Sequence, residues 1–233
     1  MNYYNYFTEL EEHFVKKRGK HLLISPMDWA LIAAWRDAGV PLQVAIRGID
    51  IAMDAFFAKK RRGSAKINSL CYCHDSVMTE YANHLESQVG QSEEVKSPDP
   101  KETDTDEILN FLAARMSEIK ALSHKHNLGS AAEGIGRVLA RLELLLDELK
   151  SSGQLDSEIL ERDLRIIDEL MVDSLSEIIP SEQKLAWESE AKKELKVYKK
   201  KLPKDTFAKI QENFMRDKIH REFGVGELSL FHL

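Results

Sequence analysis

The chain has 233 residues, 43% of them hydrophobic and 31% charged, with a formal net charge of -6. That is enough to bury one large core or two small ones. The longest apolar runs are a few residues, such as Leu144 to Leu146, so no segment reaches the roughly 20 apolar residues that cross a bilayer.

The first residues, Met-Asn-Tyr-Tyr-Asn-Tyr-Phe, lack the basic-then-apolar order of a signal peptide, and a cytoplasmic protein is expected. The two cysteines, Cys71 and Cys73, stand one residue apart, which makes no disulfide framework and fits a reducing compartment.

In chain order, Tyr3, Phe7, Leu10 and Phe14 recur at helical spacing and predict a helix from about Tyr3 to Lys17, closed at Gly19. Ser25-Pro26 predicts the next start: the serine oxygen can cap free amides, proline sits where no amide bond is needed, and Asp28 adds negative charge to the first turn. This second helix sends Trp29, Ile32 and Trp35 inward and stops at Gly39. A third, from near Pro41, presents Leu42, Ala45, Ile46, Ile49, Met53 and Phe56 on one face. After the basic loop Lys59 to Lys66, a fourth helix is expected from Ile67, with Leu70, Val77, Tyr81 and Leu85 inside.

Residues 88–106 carry Gly90, Pro98, Pro100 and many acids, and read as a linker. Beyond it the helical period returns. Expected helices run from about Asp106 to Lys125, Ser130 to Lys150, Asp156 to Ile179, Ser181 to Lys201 and Pro203 to Gly224. Gly134 and Gly136 each cost helix stability of roughly 1 kcal/mol, a cost whose expected use is close approach by a neighbouring backbone. The last residues, Gly-Glu-Leu-Ser-Leu-Phe-His-Leu, are apolar enough to dock on their own domain or on a second copy. The expectation is therefore an all-α protein of two helical bundles: a four-helix domain at 1–87, an acidic Pro-containing linker at 88–106, and a helical domain at 107–233.

Charge is unevenly spread. Residues 151–190 hold 3 bases and 11 acids, a net of -8, while 191–233 hold 11 bases and 6 acids, a net of +5. Adjacent helices of opposite sign facing one another would account for this without a partner.

No catalytic signature is present. Cys71, Cys73, His74 and His84 supply thiolate and imidazole groups of the kind zinc takes, and a metal or enzyme site around them is the alternative reading. Residues two apart on a helix point to nearly opposite sides, so the two cysteines could share an ion only where the chain is irregular. No cofactor, metal or catalytic residue is assigned. The glycines of 129–136 lack the Gly-Lys-Ser/Thr ending of a phosphate loop and follow a helix. The clearest candidates for binding are two basic clusters at helix ends: Lys17, Arg18 and Lys20, and Lys59, Lys60, Arg61, Arg62 and Lys66. If folding brings them together they make one patch for phosphate groups, which points to nucleic acid.

Trp35, Gly39, Ile46, Ile49, the basic loop and Ile67-Asn-Ser-Leu-Cys-Tyr72 give residues 29–81 a texture that resembles the helical DNA-binding module of DnaD-like and phage replication-initiation proteins. No winged-helix domain precedes the module, and Tyr81 stands where a tryptophan often ends the family's motif. The resemblance implies a DNA-linked role. The leading expectation is a non-enzymatic interaction protein in which the N-terminal domain binds nucleic acid and the C-terminal domain meets a protein partner or another copy.

Overall fold

The computed structural model describes residues 6–19, 25–59, 67–89, 105–152, 156–196, 198–199 and 202–233. The described residues are all-α, as expected, with nine α-helices, two short 3-10 turns and no strand. They fall into two compact units, Met1–Pro98 with Glu188–Phe214, and Asp99–Trp187 with Met215–Leu233. The expected division assigned all of 107–233 to one domain; here a segment from that range belongs with the N-terminal residues. The expected linker lies largely outside the described residues.

In the first unit, α1 (Tyr6–Arg18) buries Tyr6, Phe7, Leu10 and Phe14 and closes at Gly19, whose φ of 72° lies in the left-handed region. Helix α2 (Pro26–Asp37) begins as its sequence predicts. Ser25 Oγ accepts from the Asp28 amide while the Asp28 carboxylate reaches back to Ser25, a reciprocal capping box. Ile32 and Trp35 are buried and Trp29 is half-buried, its ring stacked on Phe7 at 5.4 Å. Helix α3 (Leu42–Lys59) buries Leu42, Ala45, Ile49 and Met53. On another side, Gly48 lets α4 (His74–Val89) come close: a Cβ there would lie 2.4 Å from Val77 Cα.

The fourth helix starts later than expected. Ser69 caps a 3-10 turn at Leu70–Tyr72, and α4 begins at His74. The cause is far away in sequence. Asp28 is 1% exposed and accepts from Ser69 Oγ at 2.6 Å and from the Leu70 amide at 2.8 Å, so its carboxylate holds the turn that an uninterrupted helix would abolish. Burial pushes the Asp28 carboxyl up in pKa, against the pull of these bonds and those from Ser25. Val77 is buried, but Leu85, expected inside, is 44% exposed. Glu188–Phe214 completes this unit with buried Ala191, Leu195, Ile210 and Phe214; Asn213 Nδ2 donates to the Ala30 carbonyl at 3.3 Å, and Lys209 pairs with Asp37.

The second unit is built on α5 (Thr105–Lys125), α6 (Ala131–Ser152) and α7 (Ser157–Glu177), with α6 packed against both others. Most of the apolar residues at helical spacing on them are inside: Ile108, Leu112, Ile119 and Leu122; Ile135, Val138, Leu142, Leu146 and Leu149; Leu160, Leu164, Ile167, Met171 and Leu175; Met116, Leu139, Leu145 and Ile178, at the same spacing, are only half-buried. Gly134 does serve close packing, though its neighbour is a side chain: a Cβ there would lie 2.0 Å from Ser174 Oγ on α7, while a Cβ at Gly136 would meet nothing within 4 Å beyond its own helix backbone. Helix α8 (Ser181–Leu195) ends earlier than expected, and its Leu185 is 63% exposed. Helix α9 (Lys204–Phe223) closes at Gly224, with φ 64°.

The C-terminal segment docks on its own unit. Leu228 and Leu230 are fully buried and Phe231 nearly so. Three carboxylates receive the segment's backbone: Glu118 from the Gly226 amide at 3.1 Å, Asp168 from Leu228 at 2.9 Å, and Glu161 from Leu230 at 2.7 Å. The opposite-sign expectation holds in part here, since Arg216 faces Glu169 at 3.8 Å.

Candidate nucleic-acid interface

The last turn of α1 carries Lys16, Lys17 and Arg18. Lys17 Nζ lies 3.0 Å from Asp50 and 2.9 Å from Asp54, while His13 Nε2 lies 2.9 Å from Asp50. These bonds raise the Lys17 pKa, the one from Asp54 most. Burial works against the Asp50 charge, yet the bonds from Lys17 and His13 outweigh it and hold the carboxyl below its ordinary range. The partners advance together, from 13 with 50 to 17 with 54, so α1 and α3 run parallel along this contact. Their C-terminal ends therefore lie at the same end of the unit. Cations suit that end, because both helix dipoles are negative there.

Of the eight basic residues singled out, Lys17 is held by two carboxylates of α3, and the Arg18 guanidinium lies 5.2 Å from the Phe14 ring centroid. Lys59 ends α3. Lys20, Lys60, Arg61, Arg62 and Lys66 lie outside the described residues.

Beside the end of α3 stands an aromatic edge that periodicity alone does not single out. Phe56 meets Phe57 at 5.7 Å and Tyr72 at 5.6 Å between ring centroids, both edge-on. Phe57 is 40% exposed and Tyr72 39%. The sequence does contain a signal for Phe57: a second aromatic, off the inner stripe, two residues before a run of four bases.

A family model described as "Uncharacterised protein" matches residues 5–93. No curated protein and no solved structure matches the chain. The matched stretch spans α1 to α4, and with them the aromatic edge and both basic clusters.

The alternative constellation around Cys71 does not converge. The chain is irregular there, as a shared ion would require, yet both thiols are buried, and burial, with the nearby Asp28 charge adding to it, pushes Cys71 up to about 11 and Cys73 up to about 12. Metal ligation needs the thiolate, which such surroundings disfavour. His74 Nδ1 accepts from Trp35 Nε1 at 3.0 Å, and burial lowers its pKa, so the imidazole serves the core as a neutral acceptor. His84 bonds instead to Gln88 at 3.2 Å. Among the described residues no three His, Cys, Asp or Glu side chains are gathered to hold a metal ion.

Two distant residues do meet in the second unit. His220 Nε2 lies 3.2 Å from Asp168 Oδ2, both groups buried. Because Asp168 Oδ1 accepts from Leu228, this pair fastens the C-terminal segment to α7. Helix α7 also carries apolar residues facing out: Ile159 and Ile166, seven apart on one side, are both about half exposed, as is Leu144 on α6.

Proposed function

We propose that this chain is a non-enzymatic helical binding protein whose first unit takes nucleic acid at the end where α1 and α3 finish. The observation that carries the reading is the parallel register of the two helices, set by His13, Lys17, Asp50 and Asp54. It starts both basic clusters from one end of one body. The cluster after α3 is the stronger phosphate contact, since Lys59 to Lys66 contains five bases and no acid. Lys17, already shared between two carboxylates, contributes mainly by fixing the register. Lys20, Lys59, Lys60, Arg61, Arg62 and Lys66 meet the phosphates, with Arg18 beside them.

Fluorescence anisotropy of labelled DNA across a salt series tests this. Binding should weaken steeply with salt, because each neutralised phosphate releases counterion. Reversing Lys59, Lys60, Arg61 and Arg62 to glutamate should abolish it. Affinity that survives the reversal, or does not change with salt, would overturn the proposal.

A second reading concerns the other unit, as a contact for a protein partner or a second copy. Exposed Ile159 and Ile166 on α7 favour it, since removing such side chains from water drives association. Sedimentation equilibrium of the chain and of Ile166→Glu should show concentration-dependent association in the first and not the second; identical masses would remove the self-association form of this reading.

A further inference from the structure

We infer that the outward face of α6 pairs antiparallel with the same face of a second copy. This rests on the self-association form of the second reading above, and it names the surface and the direction. The apolar seam of α6 is covered within its own unit by α5 and α7. On the opposite side a second stripe runs through Arg137, Ala140, Leu144 and Asp147, with gaps of three and four residues, the spacing at which helices pair. All four are exposed, Leu144 at 55%, and so are Arg141 and Glu148 beside them. Among the described residues, no ion pair or hydrogen bond joins the side chain of Arg137, Arg141, Asp147 or Glu148 to any other group. Arg137 and Arg141 also stand one turn apart, where like charges repel. The face thus carries unpaired bases in its first half, unpaired acids in its second, and an exposed leucine between them. That pattern is self-complementary in one direction only. About a two-fold axis level with Leu142, Arg137 of each copy faces Asp147 of the other, with Glu148 beside it, and Ala140 of each leaves room for Leu144 of the other. A parallel pair would set Arg137 against Arg137 and Asp147 against Asp147. Removing two leucines from water drives the contact, and the charges choose its direction.

Sedimentation velocity of the full chain at concentrations up to about 1 mM tests the pairing, since a seam one helix wide makes a weak complex. The parent chain should associate. Arg137→Glu and Asp147→Lys should each weaken association on the order of tenfold, because the two-fold axis turns each exchange into two like-charge contacts. An equimolar mixture of the two variants should associate again at about the parent's strength, since both contacts between unlike chains then join opposite charges. The double variant Arg137→Glu/Asp147→Lys should do so alone. Far-UV circular dichroism should match across the variants, since both positions are exposed.

If the two reversals associate as the parent does while Ile166→Glu does not, the α6 seam fails and self-association through the second unit stands. If each reversal is monomeric and their mixture is monomeric too, the seam also fails. If the parent chain stays monomeric at every concentration, the seam and the self-association reading fail together.

Discussion

Replacing Gly134 with alanine sets two effects of opposite sign against each other. In an exposed helix interior the change gains about 1 kcal/mol, because glycine carries the larger conformational cost. At this position the added methyl would lie 2.0 Å from Ser174 Oγ and 2.7 Å from Ser174 Cβ. Rotating Ser174 could move the oxygen only by giving up its bond to the Leu170 carbonyl at 2.7 Å, and no rotation moves the Cβ. Helices α6 and α7 must then shift apart, and overpacking of this kind costs about 1–3 kcal/mol, so the balance is a loss of up to about 2 kcal/mol. Ser174→Gly removes both clashing atoms and leaves Ser174 Cα at 3.9 Å, an ordinary contact. The double variant Gly134→Ala/Ser174→Gly should therefore be more stable than the two single changes sum to, with a coupling on the order of 1–3 kcal/mol. Ser174→Ala, which leaves the Cβ in place, should rescue only partly. Urea denaturation followed by far-UV circular dichroism measures all four corners. Additive changes, or a Gly134→Ala chain at least as stable as the parent, would refute the reasoning.

Gly48→Ala should behave differently, because its obstacle includes Val77 Cα at 2.4 Å and Val77 N at 2.8 Å; a loss of about 3 kcal/mol is expected, and Val77→Ala should add to it in the same denaturation assay instead of relieving it. Gly136→Ala meets nothing within 4 Å and should stabilise the chain by about 1 kcal/mol, read as a raised urea midpoint. His220 should make stability pH-dependent: burial opposes its charge, but the bond and field of Asp168 and the field of Glu227 outweigh that and the opposing Arg216, so its folded pKa stands above the ordinary 6.5. That contribution is fully present below about pH 6.5 and disappears as pH rises through the folded value. The advantage of the parent chain over His220→Gln in urea midpoint should accordingly shrink toward alkaline pH; an advantage that grows there would reverse the assignment.

Local signals carried most of the helices. Gly19, Gly39 and Gly224 all take positive φ at helix ends, and Ser25-Pro26 caps where expected, because a cap is decided within a few residues. The amphipathic seams of α5, α6 and α7 were legible for the same reason. What could not be read depends on partners distant in the chain. Nothing around Asp28 announces a bond to Leu70, and nothing around Lys17 announces Asp50 and Asp54. Leu85 and Leu185 fit a helical stripe, but both are exposed. The grouping of Glu188–Phe214 with the first unit likewise turns on packing such as Asn213 with Ala30, 183 residues apart. The basic clusters were visible as charge; that α1 and α3 run parallel was not.

The two irregular turns share one design, and it can be written in sequence terms. In Ser69-Leu70-Cys71-Tyr72 the serine oxygen accepts from the Cys71 amide, while Asp28 takes both the serine hydroxyl and the Leu70 amide. In Ser229-Leu230-Phe231-His232 the serine oxygen accepts from Phe231, while Glu161 takes the serine hydroxyl at 2.8 Å and the Leu230 amide at 2.7 Å. Each turn is thus a Ser-Leu-apolar-aromatic stretch whose leucine is fully buried and whose free amides end on a helix carboxylate. Local sequence gives the serine cap, but the carboxylate comes from 41 residues upstream in one case and 68 in the other. Serine is then the weak point of both, since its loss removes one acceptor and one donor at once. Ser69→Ala and Ser229→Ala should each cost about 2 kcal/mol, two hydrogen bonds at roughly 1 kcal/mol each. The two losses should also be separable by position: local amide exchange should rise at Cys71 in the first variant and at Phe231 in the second, with neither change seen at the other turn. Exchange that rises at both turns in either variant would mean that the two turns are not independent caps.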